Sequence, residues 1–412
     1  MSLPRLSKRG LRLLGGFKLY VGLLLVVALA VLISPKNSAG ERIFLNQTNL
    51  ANVLRQVSNN GILAVGMTLV ILTAGIDLSV GSLMGVGCTL TAMLLTLRGW
   101  TPASILTVPS ASILFGGAVF LLVVKLWPKH RTRWATAIGL PLGGILAGLV
   151  ALWLRSETQL GFHLLSVMIA ATAFCALLGL LSGLIIAYGK LQPFVVTLAM
   201  MMAALGAGRL ISGRGGQIHP IYKDSENVTE QFWVLQEMVS GLHIPVPGIV
   251  FLGCVVIAFL LLRTTPFGRH VYAVGGNEEA ARLSGIPVER IKVMVYGISG
   301  ALAGLTGVLY AAQYRQGKPD AGTGAELDAI AAVVVGGTSL MGGRGSILGT
   351  FAGVLMLGVL NNLLSLKNVD SNLQLILKAS IIIGAILVQQ GRHPWTRLFN
   401  KKMRSEEREA EL

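Results

Sequence analysis

The chain has 412 residues, of which 53% are hydrophobic and only 13% are charged, and its mean hydropathy is +0.70. This composition argues against a water-soluble globule and predicts an all-α, polytopic bundle of transmembrane helices. The net charge of +16 falls in short blocks between apolar runs. Such blocks are typical of membrane topology signals and argue against a nucleic-acid surface.

The N-terminal segment 1–18 is basic and has no acidic side chain, which predicts a cytoplasmic tail. We predict the first span at 19–33. Small residues at 38–40 leave a cleaved signal peptide as an alternative. The segment 47–73 follows as one span with a polar outer end.

The segment 75–82, GIDLSVGS, interrupts an apolar run with glycine, an acid and hydroxyls. We interpret it as the end of one helix meeting the start of the next, with Asp77 or Ser79 capping the second helix. Such a break is costly in lipid, so it should line protein or a water-filled path. A capped turn at the membrane surface is the alternative.

The segment 98–161 predicts an additional pair of helices around a basic loop that belongs on the cytoplasmic side. The polar stretch 213–247 is predicted to form an ordered external cap. The spans expected in this part of the chain lie at 102–125, 134–154, 163–188, 193–211 and 249–262.

A polar island at 274–287, VGGNEEAARLSGIP, lies within a predicted cytoplasmic loop at 264–292. Asn277 is a good N-cap, Glu278 and Glu279 favour the first turn, and Gly285 supplies a left-handed stop. We interpret the island as a docking helix of about two turns. A solvated loop between spans is the alternative.

A second break follows the outward span 293–313. The glycine-rich segment 336–345 separates two apolar helices, and its Ser-Leu-Met-Gly repeats that of the first break. Paired broken helices indicate an internal duplication around a transport path, although the match is short enough to arise by chance. The last span is predicted at 373–389 and a cytoplasmic tail at 391–412, which gives about twelve spans in a transmembrane domain of residues 19–390.

No catalytic residue or metal ligand is predicted, because the histidines and cysteines lack ligand spacing and no phosphate-binding GxxxxGK[ST] occurs. The GISG at 297–300 matches the GxSG of intramembrane serine proteases, but no histidine base follows inside a span, so small-residue packing is favoured. Asp77 is the one ionisable candidate for a path, so a proton-coupled secondary transporter is the main alternative function. A passive channel is a third.

Three long motifs carry a family resemblance: AVGMTLVILTAGIDLSVGSL, PFGRHVYAVGGNEEAARLSGI, and AGTGAELDAIAAVVVGGTSLMGG with LNNLL after it. They resemble the ribose-type sugar permeases of bacterial ATP-binding-cassette importers, within the branched-chain amino acid and sugar permease family. The resemblance implies a non-enzymatic, multi-pass protein of the bacterial inner membrane. It also implies about ten core spans, to which the segment 98–161 adds two.

The resemblance further implies partners. These are an ATPase that binds ATP and magnesium, a periplasmic or lipid-anchored sugar-binding protein, and a second permease copy, identical or paralogous, all at a lipid membrane. The ATPase would dock on one continuous segment, namely Asn277, Glu278, Glu279, Ala280, Ala281, Arg282, Leu283, Ser284 and Gly285. Polar candidates for the sugar path are Asp77, Ser79, Ser82, Thr338, Ser339, Asn361 and Asn362. The breaks would depend on structural glycines, which are Gly75, Gly81, Gly336, Gly337, Gly342 and Gly343.

Overall fold

The computed structural model describes residues 8–38, 40–126, 132–213, 215–222, 230–239 and 244–389. The α-helices in these ranges are α1 Lys8–Ile33, α2 Gln47–Leu72, α3 Val80–Thr96, α4 Pro102–Leu126, α5 Thr132–Leu160, α6 Leu164–Gly189, α7 Pro193–Ile211, α8 Val246–Thr264, α9 Pro266–Gly276, α10 Glu278–Leu283, α11 Val288–Tyr314, α12 Ala325–Val335, α13 Ile347–Leu366 and α14 Ser371–Gln389. The described ranges also contain 3-10 helices at Ile43–Leu45 and Glu230–Gln236. Strand β1 (His219–Pro220) pairs with β4 (Gln316–Gly317), and β2 (Met238–Val239) pairs with β3 (Ile244–Pro245).

Seven helices within the described ranges are long and apolar enough to cross a membrane, namely α4, α5, α6, α7, α8, α11 and α13. The apolar part of α1, Tyr20–Ile33, and helix α3 are shorter. The predicted polytopic, all-α class is therefore confirmed. The twelve predicted spans correspond in order to α1 to α8 and α11 to α14, and their number as membrane spans stays a prediction.

Several helix boundaries differ from the prediction. Helix α1 begins at Lys8, inside the segment predicted as a tail, and α8 begins at Val246, inside the predicted external cap. Helix α9 was not predicted at all. It forms because the Thr265 hydroxyl accepts the Gly268 amide at 3.3 Å and Pro266 occupies the first turn. The basic loop at 127–131 and the tail 391–412 lie outside the described residues.

Helix α2 is the central element of the bundle. It packs against α8, α11, α12 and α13, and every residue from 61 to 72 is buried. Small residues bring its neighbours close: a Cβ on Gly66 would lie 3.2 Å from Cα of Ser299 in α11. Close backbone approach at small residues is the usual way in which membrane helices pack.

The bundle has two distinguishable ends. The carbonyl of Leu72, at the end of α2, accepts the Gly343 amide at 3.0 Å, so α2 ends beside the start of α13 and beside α9. We call this end, which carries α10, the docking end. At the opposite end, the Gln236 carbonyl accepts a hydrogen bond from Arg55 in α2, and the Gln236 side chain binds Arg315, which follows α11.

Helices α3 and α12 begin inside the bundle rather than at one of its ends. The segment 316–324 turns back along α3, so that Gly322 lies against Gly81 at the start of α3. Helix α12 then begins level with the middle of α2, because Asp328 contacts Asn60. At 1.5 Å per residue α12 spans about 16 Å, which is roughly half of a hydrocarbon core.

Helices α4 and α5 form a hairpin at the edge of the bundle. Their backbones approach at Gly116 and Gly143, where an added Cβ on either glycine would lie 2.5 Å from the carbonyl oxygen of the other. The hairpin reaches the bundle through α4, which packs against α6. Its two ends meet, since the Gly99 amide donates to the Thr158 carbonyl at 2.6 Å.

Candidate functional site

The short helix α10 is built by local caps. Asn277 has an extended backbone, and its side chain accepts the Ala280 amide at 2.9 Å, which begins the helix. Glu278 and Glu279 lie in the first turn, and Gly285 follows the helix with φ of +80°. The predicted short, capped helix is therefore confirmed as a structural element.

A charge network holds α10 against the start of α11. Arg282 donates to Glu278 and Glu279, each at 3.3 Å, and to Glu289 of α11 at 3.0 Å. Lys292 of α11 donates to Glu278 at 2.7 Å. The hydrogen bond to Glu289 raises the pKa of Arg282 above its ordinary value, so this side chain stays charged throughout the physiological pH range.

The outer surface of α10 is exposed and partly apolar. Ala281 is buried and faces the bundle, whereas Leu283 is 82% exposed. Met341, in the glycine-rich segment 336–345, is 85% exposed. Leu283 lies among the charged side chains of α10. We call α10 together with Met341 the docking surface.

The glycine-rich segment 336–345 lies at the docking end, beside α9. The Tyr272 hydroxyl of α9 donates to the Gly345 carbonyl at 3.0 Å. Gly342 and Gly343 have φ of +82° and +67°, which favours glycine. A Cβ on Gly342 would lie 2.8 Å from the Gly275 carbonyl oxygen, so the segment packs against the root of the docking helix.

The remaining glycines predicted as structural occupy close contacts or turns. An added Cβ would clash with the Tyr296 hydroxyl at Gly75, with Gly322 and Glu326 at Gly81, and with Gly349 at Gly336. Gly337 has φ of +85° and no atom within 4 Å of its Cβ position. The first three of these glycines therefore allow close packing, and Gly337 allows a turn.

Asp77 is enclosed at the first break, with only 1% of its surface exposed. One carboxylate oxygen accepts the Ser79 amide at 3.0 Å and the Ser79 hydroxyl at 2.6 Å. The other accepts the Ser299 hydroxyl of α11 at 2.8 Å. Ser79 itself makes no side-chain cap bond. Asp77 caps the free amide of Ser79, which immediately precedes α3 and has helical backbone angles, so of the two predicted capping residues Asp77 acts at the start of the helix. Asp77 also joins the break to α11.

The seven predicted path residues fall in three places rather than in one site. Asp77 and Ser79 belong to the first break, where Ser82 is half-buried in α3. Thr338 is buried in the glycine-rich segment, and the Ser339 hydroxyl accepts the Met341 amide at 3.2 Å.

The two asparagines lie further toward the opposite end. Asn362 donates to Asn49 of α2 at 2.9 Å. Asn361 lines a cavity together with Asn60, Asp328 and Lys378.

Sequence reasoning missed several residues of these sites. Asp328 lies in the first turn of α12, where Gly324 takes the N-cap position, and its carboxylate pairs with Lys378 of α14 at 3.2 Å. Charged residues in apolar segments were a usable signal for that pair. Nothing local could have identified Met341 or the Ser299 partner of Asp77. Among the residues that the structure describes, no group of His, Cys, Asp or Glu could hold a metal ion.

Comparison with known proteins places these features in a family context. The family described as "branched-chain amino acid transport system / permease component" matches residues 49–386. The chain is 37% identical to the ribose import permease protein RbsC of Escherichia coli K12 over 371 residues, which cover 90% of this chain and 92% of the relative. It is 36% identical to RbsC of Bacillus subtilis, over 90% and 91% of the two chains.

The chain is also similar to a xylose permease. It is 35% identical to the xylose transport system permease protein XylH of Escherichia coli K12, over 83% of this chain and 85% of the relative. No solved structure matches the chain.

Proposed function

Because this chain belongs to the family of branched-chain amino acid transport system permease components, we propose that it is the membrane-spanning subunit of an ATP-binding-cassette importer for a ribose-like monosaccharide. The sugar class is inferred from the ribose and xylose permeases that it resembles over most of its length. The long apolar helices of a multi-pass membrane protein agree with this role.

The observation that carries the proposal is the docking surface. A helix of six residues has little stability alone, yet α10 is fixed by its cap, by buried Ala281 and by ion pairs to α11. Its exposed side presents Leu283 and carboxylates to solvent. A rigid, exposed helix rooted on a long membrane helix can transmit a push from a soluble partner into the bundle.

The proposed partners divide the work. A separate ATPase subunit binds ATP and magnesium and docks on 277–285, while this chain itself carries no cofactor. A periplasmic or lipid-anchored binding protein delivers the sugar. A second permease copy, identical or paralogous, completes the path within the lipid bilayer.

The test is co-purification of the chain with its candidate ATPase from detergent, followed by an ATPase assay. Glu279→Arg reverses an exposed charge of the docking surface, so it should release the ATPase and lower stimulated hydrolysis. Glu41→Arg is the matched control, because Glu41 is also exposed but follows α1 at the opposite end. Retention of the ATPase by Glu279→Arg at the level of the control would contradict the proposal.

Proton-coupled transport through Asp77 is the competing function, and Asp77→Asn separates the two. In an ATP-driven importer, correctly folded Asp77→Asn protein keeps ATP-dependent uptake, since Asp77 is bound by Ser79 and Ser299 in helix packing. Uptake of ribose into vesicles is measured with ATP alone and with a proton gradient alone. Uptake that needs only the gradient, and that the substitution abolishes, would favour proton coupling.

A further inference from the structure

A polar cavity lies between α2, α12, α13 and α14. Its volume is about 20 Å³, and its polar lining consists of Gln56, Asn60, Asp328, Asn361 and Lys378. Gln56 and Asn60 are one helical turn apart, so they lie on the same side of α2. The space is sufficient for a single water molecule.

One lining atom lacks a partner. Asn361 is only 9% exposed, and its Oδ1 atom is buried without a hydrogen bond. Buried polar atoms in native proteins are nearly always bonded, so this exception calls for a partner that the chain itself does not supply. In an amide that faces a cavity, such a partner is a water molecule or the hydroxyl of a ligand.

Three of the other lining groups bond one another. Lys378 lies 3.2 Å from both carboxylate oxygens of Asp328, and the Asn60 amide donates to Asp328 at 3.4 Å. Charged groups within membrane helices are costly and mark substrate pathways. Because the carboxylate and the ammonium neutralise each other, the cavity favours a neutral, polar ligand over an ion.

We propose that these five residues form a hydroxyl-binding station for a neutral polyol, the class to which ribose belongs. The inference rests on the proposed function as a sugar permease and adds the residues that contact the sugar. Asp328 and the Asn361 Oδ1 atom accept hydrogen bonds from adjacent hydroxyls, while Lys378 and Gln56 donate. The cavity holds about one water molecule, so binding a sugar requires the lining helices to move apart.

The test uses proteoliposomes that contain the permease, its ATPase and its binding protein, with ribose and 2-deoxyribose as probes. Asn361→Leu keeps the branched shape of the side chain but removes its acceptor and donor. Losing one hydrogen bond should reduce the preference for ribose over 2-deoxyribose about tenfold, while ATP hydrolysis continues. Gln56→Leu, at an exposed position, is a second variant in case Asn361→Leu does not fold.

Asn52→Leu is the matched control, since Asn52 is exposed on the preceding turn of α2 and bonds Arg55 instead of lining the cavity. An unchanged sugar preference in both Asn361→Leu and Gln56→Leu would overturn the station. Uptake and hydrolysis that fall together, with no change of preference, would also overturn it by indicating a structural role. Wild-type protein that transports neither sugar with ATP would instead contradict the proposed function itself.

Discussion

At the scale of single residues, the docking end depends on contacts between backbones. A Cβ on Gly275 would clash with the Leu72 carbonyl oxygen and lie 2.6 Å from the Gly343 nitrogen. Its neighbour Gly276 has no atom within 4 Å of its Cβ position. A side chain should therefore be tolerated at Gly276 but not at the adjacent Gly275.

We predict that Gly275→Ala destabilises the protein by about 1–3 kcal/mol, the usual cost of overpacking. The neighbouring backbone atoms cannot rotate away as a flexible side chain can. Thermal unfolding in detergent and ATPase stimulation should both decline, whereas Gly276→Ala should resemble the wild type in both. Equal behaviour of the two variants would show that α9 is free to move away from α2.

Residue roles were predictable from sequence where their partners are near in the chain. The Asn277 cap acts on Ala280, and the Gly285 turn is set by its own backbone, so both followed from helix-end preferences. Asp77 bonds Ser299, which is distant in the chain. Its role as a link between the first break and α11 depends on packing that no local pattern encodes.

At the scale of elements, α10 and α11 are joined by opposite charges. We predict that Glu278→Lys weakens the coupling of ATP hydrolysis to uptake, because it places two cations together at Lys292. The reversed pair, Glu278→Lys with Lys292→Glu, should restore part of that coupling. The free-energy difference between the single and the double variant is limited to about 1 kcal/mol, as expected for a partly exposed ion pair.

The measurement is ribose uptake per ATP hydrolysed, at low and high salt. Salt screens exposed charges. The difference in uptake per ATP between the single and the double variant should therefore become smaller as the salt concentration rises. A double variant no better than Glu278→Lys would mean that Lys292 is not the relevant partner of Glu278.

The order of the helices could be predicted from apolar runs and polar breaks. Helix α9 and the role of Asp328 could not be predicted in that way. Helix α9 has Pro266 and Gly268 near its start, which resemble a loop until the Thr265 cap is recognised. Asp328 has the sequence position of a capping residue, and only the packing of α14 directs it to Lys378. Aspartate near a helix start often caps the helix, but here the distant Lys378 determines where the Asp328 carboxylate bonds.

At the scale of the whole molecule, the α4–α5 hairpin is a separable unit. We predict that excising residues 100–157 and bridging the ends with a short glycine-serine linker leaves a membrane protein that still binds the ATPase. The ends already meet at Gly99 and Thr158, and α6, once uncovered, exposes apolar and small side chains to lipid. Membrane yield and co-purification with the ATPase measure the outcome.

Two glycine variants provide a control for that excision. Gly143→Leu separates the hairpin helices at Gly116, whereas the Gly144 Cβ position is open, so Gly144→Leu should be silent. If excision or Gly143→Leu abolished ATPase binding, the hairpin would have to stabilise the docking end through α6.

Helix α2 connects the two sites as a single continuous rod. It carries Asn60 beside the cavity and Leu72 against Gly343 at the docking end, about 18 Å apart along its axis. A shift of α2 along its axis that releases Leu72 would also displace Asn60. Linkage is reciprocal, so if docking of the ATPase changes the affinity of the cavity for the sugar, bound sugar changes the affinity for the ATPase by the same factor. Under the proposed mechanism, the transported sugar would thereby regulate the binding of the ATPase that drives its own uptake.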